Sequence, residues 1–255
     1  EALHAFLEAA AEELVEGDVC LLTVSAHGGH IPDFNGDETD DPADFRRDET
    51  LCLYDFQVAD DELFLLWSRF RPGVRIVVIP DTCHSQTMIR VNPLTFPGAP
   101  APLAERTAKP RVMPEWAELA TVRQNFDRYR EEALSYAEIK ESVILNPLKT
   151  PVKASVLSIS ACRDDEQALD GTTHGAFTGA LLEVWNQGAF EGSYEDFHRA
   201  IETRLAPLLQ TPSMYQAGLP DPAFAKQRPF TVWDRSARPA SHAPAAPATP
   251  AASLA

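Results

Sequence analysis

Apolar residues in the first 80 positions alternate between two spacings. Residues 2–16 carry leucine, phenylalanine and alanine at helical intervals and are followed by Gly17, a helix stop. The run VCLLTVSA at 19–26 is apolar throughout and rich in β-formers, and VRIVVIP at 74–80 is a second run of this kind. Between the two runs, the segment that starts at Asp60 and Asp61 reads as a helix closed by a proline and a glycine. The pattern predicts helix, strand, helix and strand in that order.

The same alternation continues downstream. We predict a helix over about 114–142, a third apolar strand at 152–160, and helices near 175–187 and 194–206. Strands that alternate with helices of this length indicate an α/β/α sandwich with a mostly parallel central sheet. The polar stretch 28–50 reads as an acidic loop, and 51–56 as a short strand or hairpin.

The division of the chain into segments follows from composition. We expect one domain over 1–236, a proline-rich insertion or linker within 90–152, and an extended Ala/Pro tail at 237–255. The sequence does not begin with methionine, which suggests a processed or trimmed chain whose N-terminal part is missing.

Charge and cysteine usage narrow the classes of partner. The 38 acidic residues exceed the 22 basic ones, and the formal charge of −16 disfavours nucleic acid and anionic membranes as partners. No apolar run approaches the roughly 18 residues of a membrane span. The four cysteines form no CxxC pair, so we expect reduced thiols in a cytoplasmic protein.

Three predicted strands end in polar clusters, SAHGGH, DTCHS and SACRDD, and such strand ends converge at one edge of an α/β sheet. A thiol becomes a useful nucleophile when a nearby imidazole takes its proton and later returns it to the leaving amine. Cys83 and His27 supply that pair. Gly28 and Gly29 allow the main chain to approach a substrate carbonyl, so the amides of Gly28 and Cys83 are candidate oxyanion donors.

A cysteine that follows a strand is more often a small core residue than a nucleophile, but Cys83 lies beyond the apolar run, among polar neighbours. Residues at i and i+2 of an extended segment share a face, which groups Asp81 with Cys83 and Ser25 with His27. A carboxylate beside the nucleophile would bind Arg or Lys, so we predict cleavage after basic residues. The alternative is that Asp81 caps a turn. The acidic stretch 28–50 has the oxygen-rich character that hard cations prefer, or it is a solvated run of charge.

These motifs resemble those of the metacaspases, caspase-like cysteine peptidases. SAHGGH resembles the segment around the family's catalytic histidine and DTCHS the segment around its cysteine. The acidic stretch that ends at DDEL, the segment SISACRDDEQALDG with GAFTGALLEVW, and the later QTPSMY and RPF are similar to further family motifs, in the same order.

The resemblance implies a catalytic dyad of His27 and Cys83, and a pocket for basic P1 side chains formed in part by Ser25 and Asp81. It further implies Asp48, Asp60 and Asp61 as calcium ligands. Family members are commonly activated by calcium and cleave themselves between the two halves of the domain. The candidate sites for such self-cleavage are Arg106, Lys109, Arg111 and Lys149.

The sequence departs from the family pattern at four points. The family's first strand and helix, which supply another acidic contact to the P1 residue, would precede Glu1 and are absent from this sequence. Ala26 and Gln86 stand where the family has glycines, and Arg90 lies where a fourth acidic calcium ligand is expected. Two other functions are compatible with the residues. A zinc hydrolase could use His27, His30, Cys83 and His84, although HxxH on a loop is a weak signal. The chain could also be an inactive caspase-like module that recruits partners.

Overall fold

The computed structural model describes residues 2–35, 47–54, 56–82, 112–145, 151–162, 168 and 174–232. Helical segments separate the strands of the predicted sheet along these residues, but four strands follow one another between Val19 and Ala59. The strands are β1 (Val19–Ser25), β2 (Gly28–Pro32), β3 (Arg47–Cys52), β4 (Gln57–Ala59), β5 (Arg75–Asp81), β6 (Ser155–Ser160) and β7 (Ser213–Gly218). The α-helices are α1 (Ala2–Glu13), α2 (Asp60–Ser68), α3 (Glu115–Gln124), α4 (Phe126–Leu145), α5 (Ala176–Trp185), α6 (Tyr194–Leu205) and α7 (Pro222–Lys226).

The larger sheet has the strand order β1-β5-β6-β7. The pairs β1/β5 and β5/β6 are parallel, and β7 is added antiparallel to β6. Every residue of β5 and β6 is buried, as expected for central strands that are covered on both faces. The predicted α/β sandwich with a mostly parallel sheet is therefore confirmed.

Alternate residues of β5 contribute to the two sides of the sandwich. Ile76 and Val78 pack with the core on the side of α1 and α2, which includes the fully buried Trp67. Val77 and Ile79 pack with the core on the side of α5 and α6, which includes Phe177 and Phe197. The sheet is thus held rigidly between two apolar layers, and its strand ends are fixed platforms for functional side chains.

The prediction of a loop over 28–50 is wrong in part. Residues 28–32 and 47–50 belong to a second, antiparallel sheet with the order β2-β3-β4. The pattern was hidden because inward-facing positions of this sheet are polar: Asp48, Thr50 and Gln57 are all buried. The Thr50 hydroxyl donates to the side-chain oxygen of Gln57 across β3 and β4, with 2.7 Å between Oγ1 and Oε1. Residues 36–46 lie outside the described part of the chain.

Two further elements differ from the prediction. The helix expected over 114–142 is two helices, because the chain breaks at Asn125, whose side-chain amide donates to the Thr121 carbonyl at 3.0 Å. The segment SMYQAG, which had no predicted structure, forms the edge strand β7. The expected tail at 237–255 lies outside the described residues.

Candidate active site

The carboxyl ends of β1 and β5 bring two of the predicted site residues together. Ser25 and Asp81 are register partners of these neighbouring parallel strands. His27 lies two residues beyond Ser25 and is exposed, as a base that must meet a substrate has to be. Cys83, two residues beyond Asp81, lies outside the described residues, as does His84.

The end of β5 is held from the side of β6. The Ala161 amide donates to the Pro80 carbonyl at 3.0 Å, and the Cys162 thiol lies 3.6 Å from the Thr82 carbonyl oxygen. Gln210 in turn donates its side-chain amide to the Ala161 carbonyl at 2.8 Å. Cys162 is fully buried. The residues immediately before Cys83 therefore sit on a fixed support.

The Asp81 side chain contacts the start of α5. It is buried, and its Oδ2 accepts hydrogen bonds from the Thr178 amide, at 3.3 Å, and from the Thr178 hydroxyl. Gly175, the N-cap residue of α5, has no side chain with which to cap the exposed amides of the first turn. Asp81, the last residue of β5, supplies the capping oxygen in place of a Gly175 side chain. A carboxylate is also well suited to the positive end of the helix dipole. The carboxylate is therefore fixed in place by a helix start.

Gly175 and Thr178 belong to the segment GAFTGALLEVW, and the sequence predicts no individual role for either residue. The structure gives the physical reason for the spacing. A Cβ atom at Gly175 would lie 2.8 Å from both Cγ and Oδ1 of Asp81, closer than non-bonded atoms approach. The glycine makes room for the carboxylate, and the threonine holds it.

The segment that follows His27 is fixed by hydrogen bonds along both of its edges. On one edge, the Cys52 amide donates to the His27 carbonyl at 3.0 Å. On the other edge, the Met113 amide donates to the Gly28 carbonyl at 2.8 Å, and Val112 forms a parallel bridge with Gly28. Gly28 and Gly29 are buried, and a Cβ at Gly29 would lie 2.6 Å from Oε1 of Gln57. Only glycine fits there without displacing a neighbour.

Three carboxylates meet beneath this segment. One oxygen from each of Asp48, Asp60 and Asp61 lies within 4.8 Å of the others, and all three side chains are at most 2% exposed. Asp48 is on β3, and the other two open α2. The Asn35 side-chain amide donates to Oδ2 of Asp61 at 2.6 Å. The three residues named from the family resemblance are thus close neighbours in the fold.

The other described cysteines are poor nucleophiles. Burial raises the pKa of Cys20 to about 11. Burial, with the nearby charge of Glu118, raises the pKa of Cys52 to about 12. Both remain protonated near neutral pH. Cys20, Cys52 and Cys162 are thiols and not halves of disulfides.

Several sequence predictions fall outside the described residues. They include the candidate cleavage positions Arg106, Lys109, Arg111 and Lys149, and the family departures Gln86 and Arg90. The hypothetical zinc set also depends on Cys83 and His84. Among the described residues, the group with the spacing of metal ligands is the aspartate cluster, which contains neither His27 nor His30. No helix in the described ranges has the length and apolar character of a membrane span.

Comparison with known proteins gives a consistent result. Residues 1–224 match the family described as Peptidase C14, caspase domain. Metacaspase-1B of Aspergillus terreus is 28% identical over 201 residues, which cover 75% of this chain and 52% of that protein. Metacaspase-1 of Kluyveromyces lactis is 25% identical over 191 residues, covering 64% and 39%. The chain thus spans about half, or less, of the length of these relatives.

A solved structure shares the fold. The crystal structure of a protein from Geobacter sulfurreducens superposes with a TM-score of 0.67 at 39% sequence identity. The match covers 91% of this chain and 78% of that one.

Proposed function

The chain belongs to the caspase-domain family, Peptidase C14, and we propose that it is a cysteine endopeptidase that cleaves after Arg or Lys through His27 and Cys83. The observation that carries this proposal is the register pairing of Ser25 with Asp81. His27 and Cys83 each follow one member of this pair by two residues, on strands that lie about 4.8 Å apart. The pairing supports the proposal because the sequence places His27 and Cys83 two residues beyond the ends of neighbouring strands.

The reaction would follow from these positions. His27 takes the proton of the Cys83 thiol, and the thiolate attacks the carbonyl carbon of the scissile bond. The amides of Gly28 and Cys83 would donate to the resulting oxyanion. His27 then gives its proton to the departing amine, and water hydrolyses the thioester to regenerate the thiol. No metal or organic cofactor is needed for these steps.

Asp81 supports the preference for a basic P1 residue. Its carboxylate is buried near the strand end from which Cys83 departs, so a guanidinium or ammonium group of the substrate could pair with it in a region of low dielectric. Its contacts with Thr178 fix one oxygen, which orients the carboxylate before substrate arrives. Ser25, exposed on the neighbouring strand, would add a polar wall. The expected substrates are proteins or peptides with Arg or Lys at P1.

A reporter assay tests the proposal. The protein is incubated with a peptide library that varies the P1 residue, and Cys83→Ala and His27→Ala are compared with Cys20→Ala, which removes a core thiol. We expect turnover of Arg and Lys reporters, a loss of at least about 1000-fold in the first two variants, and retained activity in the third. Unchanged turnover by Cys83→Ala would refute the proposal.

Calcium activation is a second part of the proposal. The set of Asp48, Asp60 and Asp61 offers the hard oxygen donors that calcium prefers. At an effective dielectric constant of 20, two ionised carboxylates 4.8 Å apart repel by roughly 3 kcal/mol, and a divalent cation would reverse that repulsion. Asp48 is a residue of β3 and pairs with Ile31 of β2, so calcium bound there would stiffen the sheet that follows His27.

Self-processing is the third part. Val112 forms the bridge with Gly28, whose amide is the proposed oxyanion donor, and Arg111 directly precedes Val112 in the sequence. Val112, which would become the first residue of the C-terminal product, lies beside Gly28. We therefore favour Arg111 over Arg106, Lys109 and Lys149 as the self-cleavage position.

A cytoplasmic location is also proposed, on the ground that the three described cysteines are thiols.

A further inference from the structure

Glu118 links the segment between the two halves of the domain to the residues that follow His27. It lies in the first turn of α3 and is 8% exposed. Its Oε1 accepts a hydrogen bond from the His30 amide at 3.1 Å and lies 3.8 Å from Nδ1 of the same residue. The same oxygen would be 3.1 Å from a Cβ atom at Gly29. The carboxylate is therefore packed directly over the glycine pair.

Among the described residues, no strand of the same sheet pairs with the outer edge of β2, so its polar groups need other partners. Gly28 and His30 both point to this edge, because alternate residues of a strand share a side. The Met113 amide donates a hydrogen bond to the Gly28 carbonyl, and the Glu118 carboxylate accepts one from the His30 amide. Two contacts from one segment thus bracket Gly29, a residue with no side chain to restrict its backbone.

The segment that carries Glu118 is itself anchored. Tyr129 is buried, and its hydroxyl accepts from the Gln57 amide at 3.0 Å. Arg128 donates to Glu62 on α2 at 2.6 Å and stacks 3.8 Å from the centre of the Phe56 ring. Burial by itself would raise the pKa of Glu118, but hydrogen bonds from His30 and its charge lower the pKa below the usual value, so the group is an anion near neutral pH. The contact with His30 is therefore a charge-assisted hydrogen bond held on a fixed support.

We propose that Glu118 is a positioning residue for catalysis, which holds the His27–Gly29 backbone through its hydrogen bond to His30; this inference rests on the proposed function. The bond fixes the strand just after the base, so that the imidazole and the Gly28 amide keep their orientation toward the substrate. An oxyanion donor that is misplaced by a fraction of an ångström loses much of its effect.

The role of Glu118 has a consequence for a chain that is cleaved at Arg111. The C-terminal product would begin with Val112 and carry Glu118, so it must stay bound for full activity.

Substitutions at one position separate geometry from charge. Glu118→Ala removes the acceptor. Glu118→Asp keeps the charge but withdraws the carboxylate by one methylene. Glu118→Gln keeps an oxygen acceptor at full reach and loses the charge. Glu115→Ala, an exposed position in the same helical turn, is the matched control.

The variants are assayed with an Arg-peptide reporter given in trans, and hydrogen exchange of the amides of Gly28–His30 is measured by NMR. We expect kcat to fall about 10- to 100-fold in Glu118→Ala with KM nearly unchanged, less in Glu118→Asp and least in Glu118→Gln, while Glu115→Ala matches the unsubstituted protein. We also expect the His30 amide to exchange at least about 10-fold faster in Glu118→Ala.

Equal kcat in Glu118→Ala and Glu115→Ala would overturn the inference, and so would an activity order that follows charge, with Glu118→Asp above Glu118→Gln. If Glu118→Ala does not fold, the comparison of the Asp and Gln variants decides. The exchange measurement does not depend on activity. An unsubstituted protein without thiol-dependent turnover would therefore refute the proposed function, whereas unchanged His30 exchange in Glu118→Ala would refute the role of Glu118.

Discussion

Gly175→Ala is a minimal change that tests whether the fixed carboxylate of Asp81 sets the preference for basic P1 residues. The added Cβ would lie 2.8 Å from Cγ and Oδ1 of Asp81, whereas non-bonded carbon atoms pack at about 3.5 Å or more. The carboxylate or the helix start must therefore move by at least about 0.7 Å. Asp81 is buried under α5, so no open space relieves the contact.

A displacement of this size is large on the scale of substrate binding, where a misplacement of about 1 Å can cost 100-fold in rate. We expect kcat/KM for Arg and Lys reporters to fall about 10- to 100-fold, equivalent to roughly 1.4 to 2.7 kcal/mol. Overpacking would also lower the free energy of unfolding by about 1 to 3 kcal/mol. Steady-state kinetics and a chemical denaturation curve measure the two effects separately.

The chain provides a matched control in the same helix. A Cβ at Gly179 meets nothing within 4 Å, so Gly179→Ala makes the same chemical change without the clash. We expect it to keep kcat/KM and to gain up to about 1 kcal/mol of stability from helix propensity. A Gly175→Ala variant that cleaves Arg reporters as well as Gly179→Ala does would refute the role assigned to Asp81.

Three other predictions concern the aspartate cluster, the inter-half segment and self-processing. In the calcium test, Ca²⁺ should raise the melting temperature and the turnover of Arg reporters; Asp60→Asn and Asp61→Asn should abolish both effects, and the exposed Asp127→Asn should abolish neither. A melting temperature that does not change when Ca²⁺ is added would contradict the calcium proposal. Tyr129→Phe leaves the buried backbone amide of Gln57 without its acceptor. In urea denaturation it should lower the free energy of unfolding by about 1 to 3 kcal/mol. Tyr54→Phe, at a fully exposed side chain, should change that free energy by less than about 0.5 kcal/mol. Equal effects would show that the bond does not stabilise the segment. Arg111→Gln should block self-cleavage in mass spectra, and the cleaved protein should run as one species in size-exclusion chromatography; cleavage that persists elsewhere would refute the choice of Arg111.

The parts of the fold that the sequence predicts well are those where burial alone dictates residue choice. β5 is apolar at nearly every position because both of its faces are covered, and the run at 74–80 differs from the strand by one residue at each end. The antiparallel sheet was missed for the opposite reason. Its buried positions hold Asp48, Thr50 and Gln57, whose hydrogen bonds and close approach are tertiary contacts that a local pattern does not carry.

The same distinction applies to the candidate site. Asp48, Asp60 and Asp61 could be named from motifs, and the fold brings them together. The glycines after His27 could be recognised, but not the groups that surround them. Glu118 lies 88 residues from His30 along the chain, and its helix has no motif that marks it. Thr178 contacts Asp81 across 97 residues. Such supports depend on how helices pack against strand ends, which residue spacing alone does not specify.

The central claim is that Cys83 is the nucleophile of an Arg/Lys-directed peptidase. The most direct measurement treats the protein with a peptidyl-arginine chloromethyl ketone and locates the adduct by mass spectrometry. We expect one adduct per chain, on Cys83, with loss of turnover in proportion to labelling, and protection by an Arg substrate. Turnover that survives complete labelling of Cys83, or an adduct confined to Cys20, Cys52 or Cys162, would contradict it.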